Sequence, residues 1–385
     1  MNSKIIMKKN WIILLLLIPL CIGFYKVNTL NYEKHRSIES HRVNHPEMVP
    51  NSQLAQATSF GFRNMFADIY WIQSVQYIGG NVISEEYKKY LYAMLDLITD
   101  LNPYFESPYV IGQLLLPSEN MGDETIPAEQ IKKNVQQGEI LGLKGVKNFC
   151  DAKILEKIRE ENDLQKITKS REYKNPCQSY KIPYYLGFIY YFYLKDGSEA
   201  SFYYKVVAAQ EDAPSGAKVL AAIMQGKWGQ REKSVFMFLS LAKSLAKPDE
   251  YCSLMTEKVD EVYQYISQEK LPLTGELVAA IENDRNRIFP KLTEDNEDEL
   301  LGDTQCTNYL AKATREINLI YIEEADARYK KDHPDEISAK TPQVLFEKWY
   351  ISFIPTDFQQ YEDEDYGIIY KYNPDIGRFD YEMGY

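Results

Sequence analysis

The stretch YKIPYYLGFIYYFYLKDG, Tyr180 to Gly197, decides how this chain is read. Thirteen of its residues, Ile182 to Leu194, carry no charge, and five of those are tyrosine. Such a run serves as a membrane span, a buried helix or an aromatic binding face. As a helix it rises only about 20 Å, short of the ~30 Å of a bilayer core. Pro183 and the pair Lys195-Asp196 bracket it. A helix packed inside a protein body is therefore expected, with an aromatic ligand groove as the competing role for its tyrosines.

Sliding the chain against itself by 34 residues shows what the helix belongs to. Leu186 falls on Leu220, Gly187 on Ala221, Tyr190 on Met224, Ala200 on Ser234, Tyr204 on Phe238, Ala208 on Ala242 and Pro214 on Pro248. Small residues meet small ones, large meet large, and proline meets proline. A period of this length with this order of residue types resembles the tetratricopeptide signature, a pair of antiparallel helices per repeat. The second helix and its closing proline fall slightly later than in the usual pattern. A small residue at Gly187 lets the two helices of one hairpin approach closely, Tyr190 and Tyr204 fill the gap between them, and Pro214 ends the second helix. Leu186, Gly187, Tyr190, Ala200, Tyr204, Pro214, Leu220, Ala221, Phe238, Ala242 and Pro248 are the expected packing positions.

Helical spacing extends in both directions. SFGFRNMFADIYWIQSVQYIGG, from Ser59, places Phe62, Met65, Phe66, Ile69, Ile72 and Val75 at three/four intervals. SEEYKKYLYAMLDLITDLNP, SPYVIGQLLL and PAEQIKKNVQQGEILGLKGVKNFC read as further helices, the last with Pro127 at its start. Between Cys150 and Cys177 lies a charged, helical insertion. Two more helices are expected near DEYCSLMTEKVDEVYQYISQ and TGELVAAIENDRNRI, and the acidic KLTEDNEDELLGD is expected to be a linker rather than a calcium loop.

The amino terminus carries a targeting signal. The apolar run Trp11–Tyr25 has lysines at both edges and reaches about 22 Å, which snorkelling or extension toward Leu30 brings to bilayer thickness. A cleaved signal peptide is the competing reading, but no small-x-small site follows. Leu20 stands where a lipidation site at Cys21 needs a small residue. A short basic tail, residues 1–10, stays in the cytoplasm, and residues 11–30 anchor the chain in the inner membrane by a single pass. Residues 31–50, polar and proline-bearing, form a stalk; His35, His41 and His45 fall there without cysteine or carboxylate pairs at ligand spacing.

Charge and cysteines narrow the function. The first thirty residues hold Lys4, Lys8, Lys9 and Lys26 and no acid, so the remainder has 44 − 4 = 40 basic against 56 acidic residues, a net of −16. A body this acidic, without a basic stripe, repels a phosphate backbone, and nucleic acid is excluded as a partner. Cys150, Cys177, Cys252 and Cys306 are even in number with no C-x-x-C pair. They suit two disulfides outside the cytoplasm, with four buried thiols as the alternative. A Cys150–Cys177 bridge would close a loop of about 28 residues, worth about 3–4 kcal/mol.

Two resemblances follow from longer stretches. GFRNMFADIYWIQSVQY and LDLITDLNPYFESPYVIGQLLL, with the repeat to Pro248, resemble bacterial membrane-anchored tetratricopeptide proteins, which implies binding and no catalytic residue. From about Thr307 the chain resembles the carboxy-terminal module of type II secretion pseudopilins. The stretches that carry this likeness are ARYKKDHPDE, TPQVLFEKWY, the turn Ile354-Pro355-Thr356-Asp357, and the strands GIIYKY and RFDYE around an NPDIG loop. FQQYEDEDYG departs from that pattern, so calcium ligation by Glu362, Asp363, Glu364 and Asp365 does not carry over.

No metalloprotease, nucleophile-elbow, phosphate-loop or dinucleotide motif is present, and His333 is the only histidine beyond the stalk. The expectation is a mainly α protein with an amino-terminal transmembrane helix, a tetratricopeptide-like α-solenoid over residues 51–290, an acidic linker at 291–303, and a small α+β module with a β-hairpin at 304–385. It implies a scaffold of the bacterial envelope that binds a protein or peptide, without cofactor or metal. An envelope enzyme or enzyme subunit using acidic residues is the alternative.

Overall fold

Asp151, Asp163 and Asp196 each precede a helix and turn a carboxylate back onto its first free N–H groups. Capping of this kind sets a helix start locally, whatever packs later. The computed structural model describes residues 19, 22–27, 29, 49–81, 88–118, 127–214, 216–245, 250–302, 305–359 and 367–384. Within them the chain is mainly helical and closes with a small two-stranded antiparallel sheet. No helix among the described residues is long and apolar enough to cross a membrane. Most of the predicted anchor and stalk, Pro248 and the acidic run 362–365 lie outside the described residues.

The described residues fall into two compact units, the first ending at Pro108. It holds α1 (Ser52–Thr58), α2 (Arg63–Asn81) and α3 (Lys88–Leu101). Asn51 caps α1, and Gln56 Nε2 donates to the Asp100 carbonyl at 3.2 Å, tying α1 to the end of α3. α3 buries Leu91, Met94, Leu95, Ile98 and Leu101 along one stripe and stops before Asn102-Pro103, as its sequence predicts. On α2 the three/four spacing does give a helix, but its apolar stripe faces outward. Phe62, Met65, Ile69, Ile72 and Val75 are exposed, while Ala67, Ser74 and Tyr77 are buried. Close packing here uses the Ala67–Ser74–Tyr77 stripe, and the large aliphatic side chains are left over.

The second unit contains Tyr109–Ser118 and the chain from Pro127 onward. α4 (Glu106–Leu115) leads into it, and α5 (Ala128–Phe149) follows. Gly138, Gly142 and Gly145 form a side-chain-free stripe on α5. A Cβ at Gly142 would stand 2.8 Å from Leu186 Cδ1, and one at Gly145 2.9 Å from Ile182 Cγ2. This bare stripe lets α8 (Lys181–Phe192), home of the tyrosine run, lie directly on α5.

The charged insertion becomes α6 (Ala152–Glu160) and α7 (Leu164–Lys169), with Ile158, Leu164 and Ile167 fully buried beneath it. Cys150 and Cys177 are bridged at its base. Backbone bonds from Asp151 N–H to Pro176 O (2.8 Å) and Gln178 N–H to Phe149 O (2.9 Å) flank that bridge. The second disulfide joins Cys252, on α12 (Glu250–Gln264, running on as a wider turn through Tyr265–Glu269), to Cys306.

The 34-residue register appears in three dimensions. α9 (Gly197–Ala208) and α11 (Arg231–Lys243) begin 231 − 197 = 34 residues apart, and α8 with α9, then α10 (Ala217–Lys227) with α11, form successive hairpins. Leu186, Gly187, Ala200, Tyr204, Ala221, Phe238 and Ala242 are buried as expected. A Cβ on Gly187 would lie 3.3 Å from Tyr204 Cε2, which is the predicted close approach. Three positions differ. Tyr190 is half-buried and turns sideways, stacking on Tyr203 and donating to Glu139 of α5 at 2.9 Å. Leu220 is also half-buried. Pro214 is exposed; α9 has already stopped at Ala208, and the Pro214 carbonyl accepts from Ala217 N–H to start α10.

α13 (Gly275–Ile288) follows, and the segment expected to be an unstructured linker contains a short helix, α14 (Glu297–Leu301). Its register is set by Asn296, whose side chain accepts from Thr293 N–H and donates to Lys291 O. α15 (Cys306–Asp332) is 27 residues long and lies along α11. After α16 (Pro342–Glu347) come the Ile354–Asp357 turn and the hairpin of β1 (Gly367–Asn373) and β2 (Arg378–Gly384), in register at Tyr370↔Tyr381. One continuous apolar core runs from Tyr109 and Phe149 through the repeats to Tyr370 and Phe379. The hairpin therefore shares its core with the helices and does not form one of its own.

Candidate functional site

The helices meet the hairpin through buried charges. On α15, Arg315 makes a two-pronged pair with Asp357, Nε to Oδ2 at 2.8 Å and Nη2 to Oδ1 at 2.9 Å. Tyr370 of β1 donates to the same carboxylate at 2.7 Å and accepts from Asn318 Nδ2 at 3.1 Å. Burial alone would push Asp357 up. The adjoining guanidinium, the Tyr370 hydroxyl and the Gln359 N–H instead hold its carboxyl below the usual carboxylate range. Burial and the neighbouring Asp357 charge raise the Tyr370 phenol well above its ordinary value.

The next residue of α15, Glu316, accepts from Arg231 Nη1 at 2.9 Å. Arg231 Nη2 reaches Glu323 at 2.9 Å and the Phe379 carbonyl of β2 at 2.6 Å. Gly226 makes room for this: any Cβ there would run into the Glu316 carboxylate. Burial disfavours the Arg231 charge, but Glu316 and Glu323 hold it firmly protonated. Ion pairs this deep hold only where further hydrogen bonds offset the cost of burial; Arg231 makes three, while its Nε has no partner among the described residues.

The outermost layer of the network opens into a pocket of about 430 Å³. One wall is the end of α8 and the following turn, with Tyr191, Phe192 and Lys195. The end of α10 contributes Lys227 and Trp228, and the hairpin supplies Asp375, Asp380, Tyr381 and Glu382. At the floor Lys227 Nζ pairs with Asp380 Oδ2 at 3.1 Å and sits 4.2 Å from the Tyr381 ring centroid. Burial works against that charge, yet Tyr381, Asp380 and Tyr191 together keep the Lys227 pKa above the ordinary lysine value. Asp380 is 9% exposed, and its Oδ1 has no hydrogen-bond partner among the described residues. Phe192, 49% exposed, and Trp228, 37% exposed, flank the mouth.

The pocket continues a half-buried aromatic stripe. Tyr184, Phe188 and Tyr191 lie at i, i+4 and i+7 along α8, and the Phe188 and Phe192 rings are 4.3 Å apart. Tyr184 and Tyr191 are half-buried and pack against the apolar core, Tyr184 edge-on to Tyr204, while Ile182, Leu186 and Ile189 are fully buried. The predicted packing positions shape the hairpins behind this face and do not line the pocket. Sequence reasoning missed Lys227, Trp228, Asp380 and Tyr381. The one local signal was on α15, where Arg315, Glu316, Asn318 and Asp326 interrupt the buried face of a long helix. Buried polar side chains in such a pattern demand partners from elsewhere.

Comparison with protein-family models, with curated proteins and with solved structures finds no match.

Proposed function

We propose that the chain is a membrane-anchored scaffold of the bacterial cell envelope. In this reading residues 11–30 form a single inner-membrane pass, and the body, outside the cytoplasm, is a tetratricopeptide-like repeat array that ends in a pseudopilin-like tail. A partner protein or peptide lies along α8 and α10. The observation that carries the proposal is the aromatic stripe Tyr184–Phe188–Tyr191, which runs on one repeat helix and ends at an open pocket. A helix or extended segment laid across stacked hairpins is held by side chains of this kind. The two disulfides support a location in an oxidising space.

Site-specific photo-crosslinking in cells tests it. A photoreactive residue at Phe192 or Tyr185 is expected to trap one reproducible protein, and the same residue at Leu254, on α12, is not. Identical crosslinking at all three positions, or none at any, overturns the scaffold reading.

A further inference from the structure

The apolar stripe on the outer side of α2 has no cover. Phe60, 86% exposed, and Phe62, 64% exposed, stand at its start, and Met65, Ile69, Ile72 and Val75 continue it. By ordinary side-chain areas these residues leave roughly 600 Å² in solvent, the upper end of what a monomer keeps in one patch. The charges on α2 are Arg63, in its first turn, and Asp68. A helix apolar on both sides needs an apolar neighbour on each, and α3 supplies one. Phe60 is held in the left-handed backbone region, φ 46°, which is costly for a bulky residue, yet its ring stays outside.

The same unit holds a second uncovered apolar surface. Ile22, Phe24, Tyr25 and Val27, on the described helical residues of the anchor segment, are 54–74% exposed, so neither surface covers the other. Between the anchor and α1 lie 51 − 30 = 21 residues, which even fully extended reach about 70 Å. The start of α1 is never farther from the bilayer than that, and the tether raises the effective concentration of the stripe at the membrane. From these observations we infer that the outer face of α2 is a lipid-binding surface. It lies in the interface of the membrane that residues 11–30 cross, with the Phe60 and Phe62 rings among the acyl chains. This inference rests on the anchor in the scaffold reading and adds a second membrane contact to it. With one cation on the helix and an acidic body, anionic head groups offer no attraction, so the contact is apolar and suits zwitterionic lipid.

The test uses the full chain in phosphatidylcholine nanodiscs. Cys21→Ser removes the cysteine outside the two disulfides, and Phe24→Cys, Ile69→Cys or Ala93→Cys then carries a nitrobenzoxadiazole dye. Ala93 is an exposed position on α3, in the same unit as the stripe. Phosphatidylcholine bearing a nitroxide on its acyl chain is expected to quench the dye at positions 24 and 69 and to leave it emitting at position 93. Phe60→Gly with Phe62→Ser keeps the left-handed turn and strips the rings. This pair should reduce the quenching at position 69 with the thermal midpoint unchanged. Quenching at position 24 but not at 69 overturns the inference and leaves the anchor standing. No quenching at position 24 removes the anchor and the inference with it. Equal quenching at 69 and 93 overturns the inference, since no face is then selected. A dye at position 69 that is dry, unquenched by lipid and crosslinked to a second copy of the chain overturns it in favour of a dimer.

Discussion

Lys205 should make the protein more stable as pH rises from neutrality toward 9.5, against the usual alkaline trend. The residue is 3% exposed on α9. Its ammonium donates to the carbonyls of Arg159 (3.1 Å) and Glu161 (2.7 Å) at the end of α6. Burial first, then the Lys233 and Arg159 charges, push its pKa down from 10.5 to about 8, with Glu161 opposing. Between those values the unfolded chain binds more protons than the folded one, so unfolding free energy climbs with pH. The cost of holding the charge is complete below about pH 8 and is relieved above it. Integrated from about pH 8 to about pH 9.5, the gain is about 1.5 kcal/mol. Above about pH 10 the effect is masked, because phenols held protonated by burial, Tyr204 among them, penalise the folded state once unfolded tyrosines ionise. The assay is the urea midpoint of the full chain across this window, compared with Lys205→Met. Lys218, also lowered by burial, adds a slope common to both proteins. The wild type should rise more steeply than the variant by about 1.5 kcal/mol. Parallel curves would refute the buried-ammonium account.

Asp357→Asn should cost about 3–5 kcal/mol by leaving Arg315 buried without its counter-charge, read as a drop in urea midpoint. The same variant should lack part of the wild type's acid sensitivity. The depressed Asp357 pKa gives stability that is present above the ordinary carboxylate range and lost as pH falls through the folded value. Gly226→Ala should cost about 3–5 kcal/mol, because the added methyl displaces the Glu316 carboxylate from Arg231; Gly79→Ala, on α2, where nothing lies within 4 Å of the added methyl, is the control. Replacing Cys150 and Cys177 together by serine should cost about 3–4 kcal/mol, measured by thermal unfolding under non-reducing conditions.

The repeat was legible because it is local. Gly187 packs against Tyr204 within one hairpin, Ala221 and Phe238 hold the buried positions 34 residues on, and a 34-residue offset exposes both pairs without knowledge of the rest of the chain. The hairpin strands and their loop were legible for the same reason, since turn residues and alternation lie within two dozen positions. The pocket was not. Lys227 and Asp380 are 153 residues apart, and nothing near either one marks it as half of a buried pair. Asp357 stood out as a turn residue, yet its role comes from Arg315, 42 positions earlier. On α2 periodicity identified a helix but left its buried face open, because period alone does not say which stripe meets a neighbour.

The dependence of Arg231 on the Phe379 carbonyl and of Arg315 on Asp357 sets an order of events during synthesis. Helices that emerge earlier carry positive groups whose partners, Asp357 and Phe379, are made later. Until the Asp357 turn and the hairpin are made, those guanidiniums remain in water, and the region around them stays ajar. A chain that stops short of the hairpin is left recognisably open to quality-control proteases.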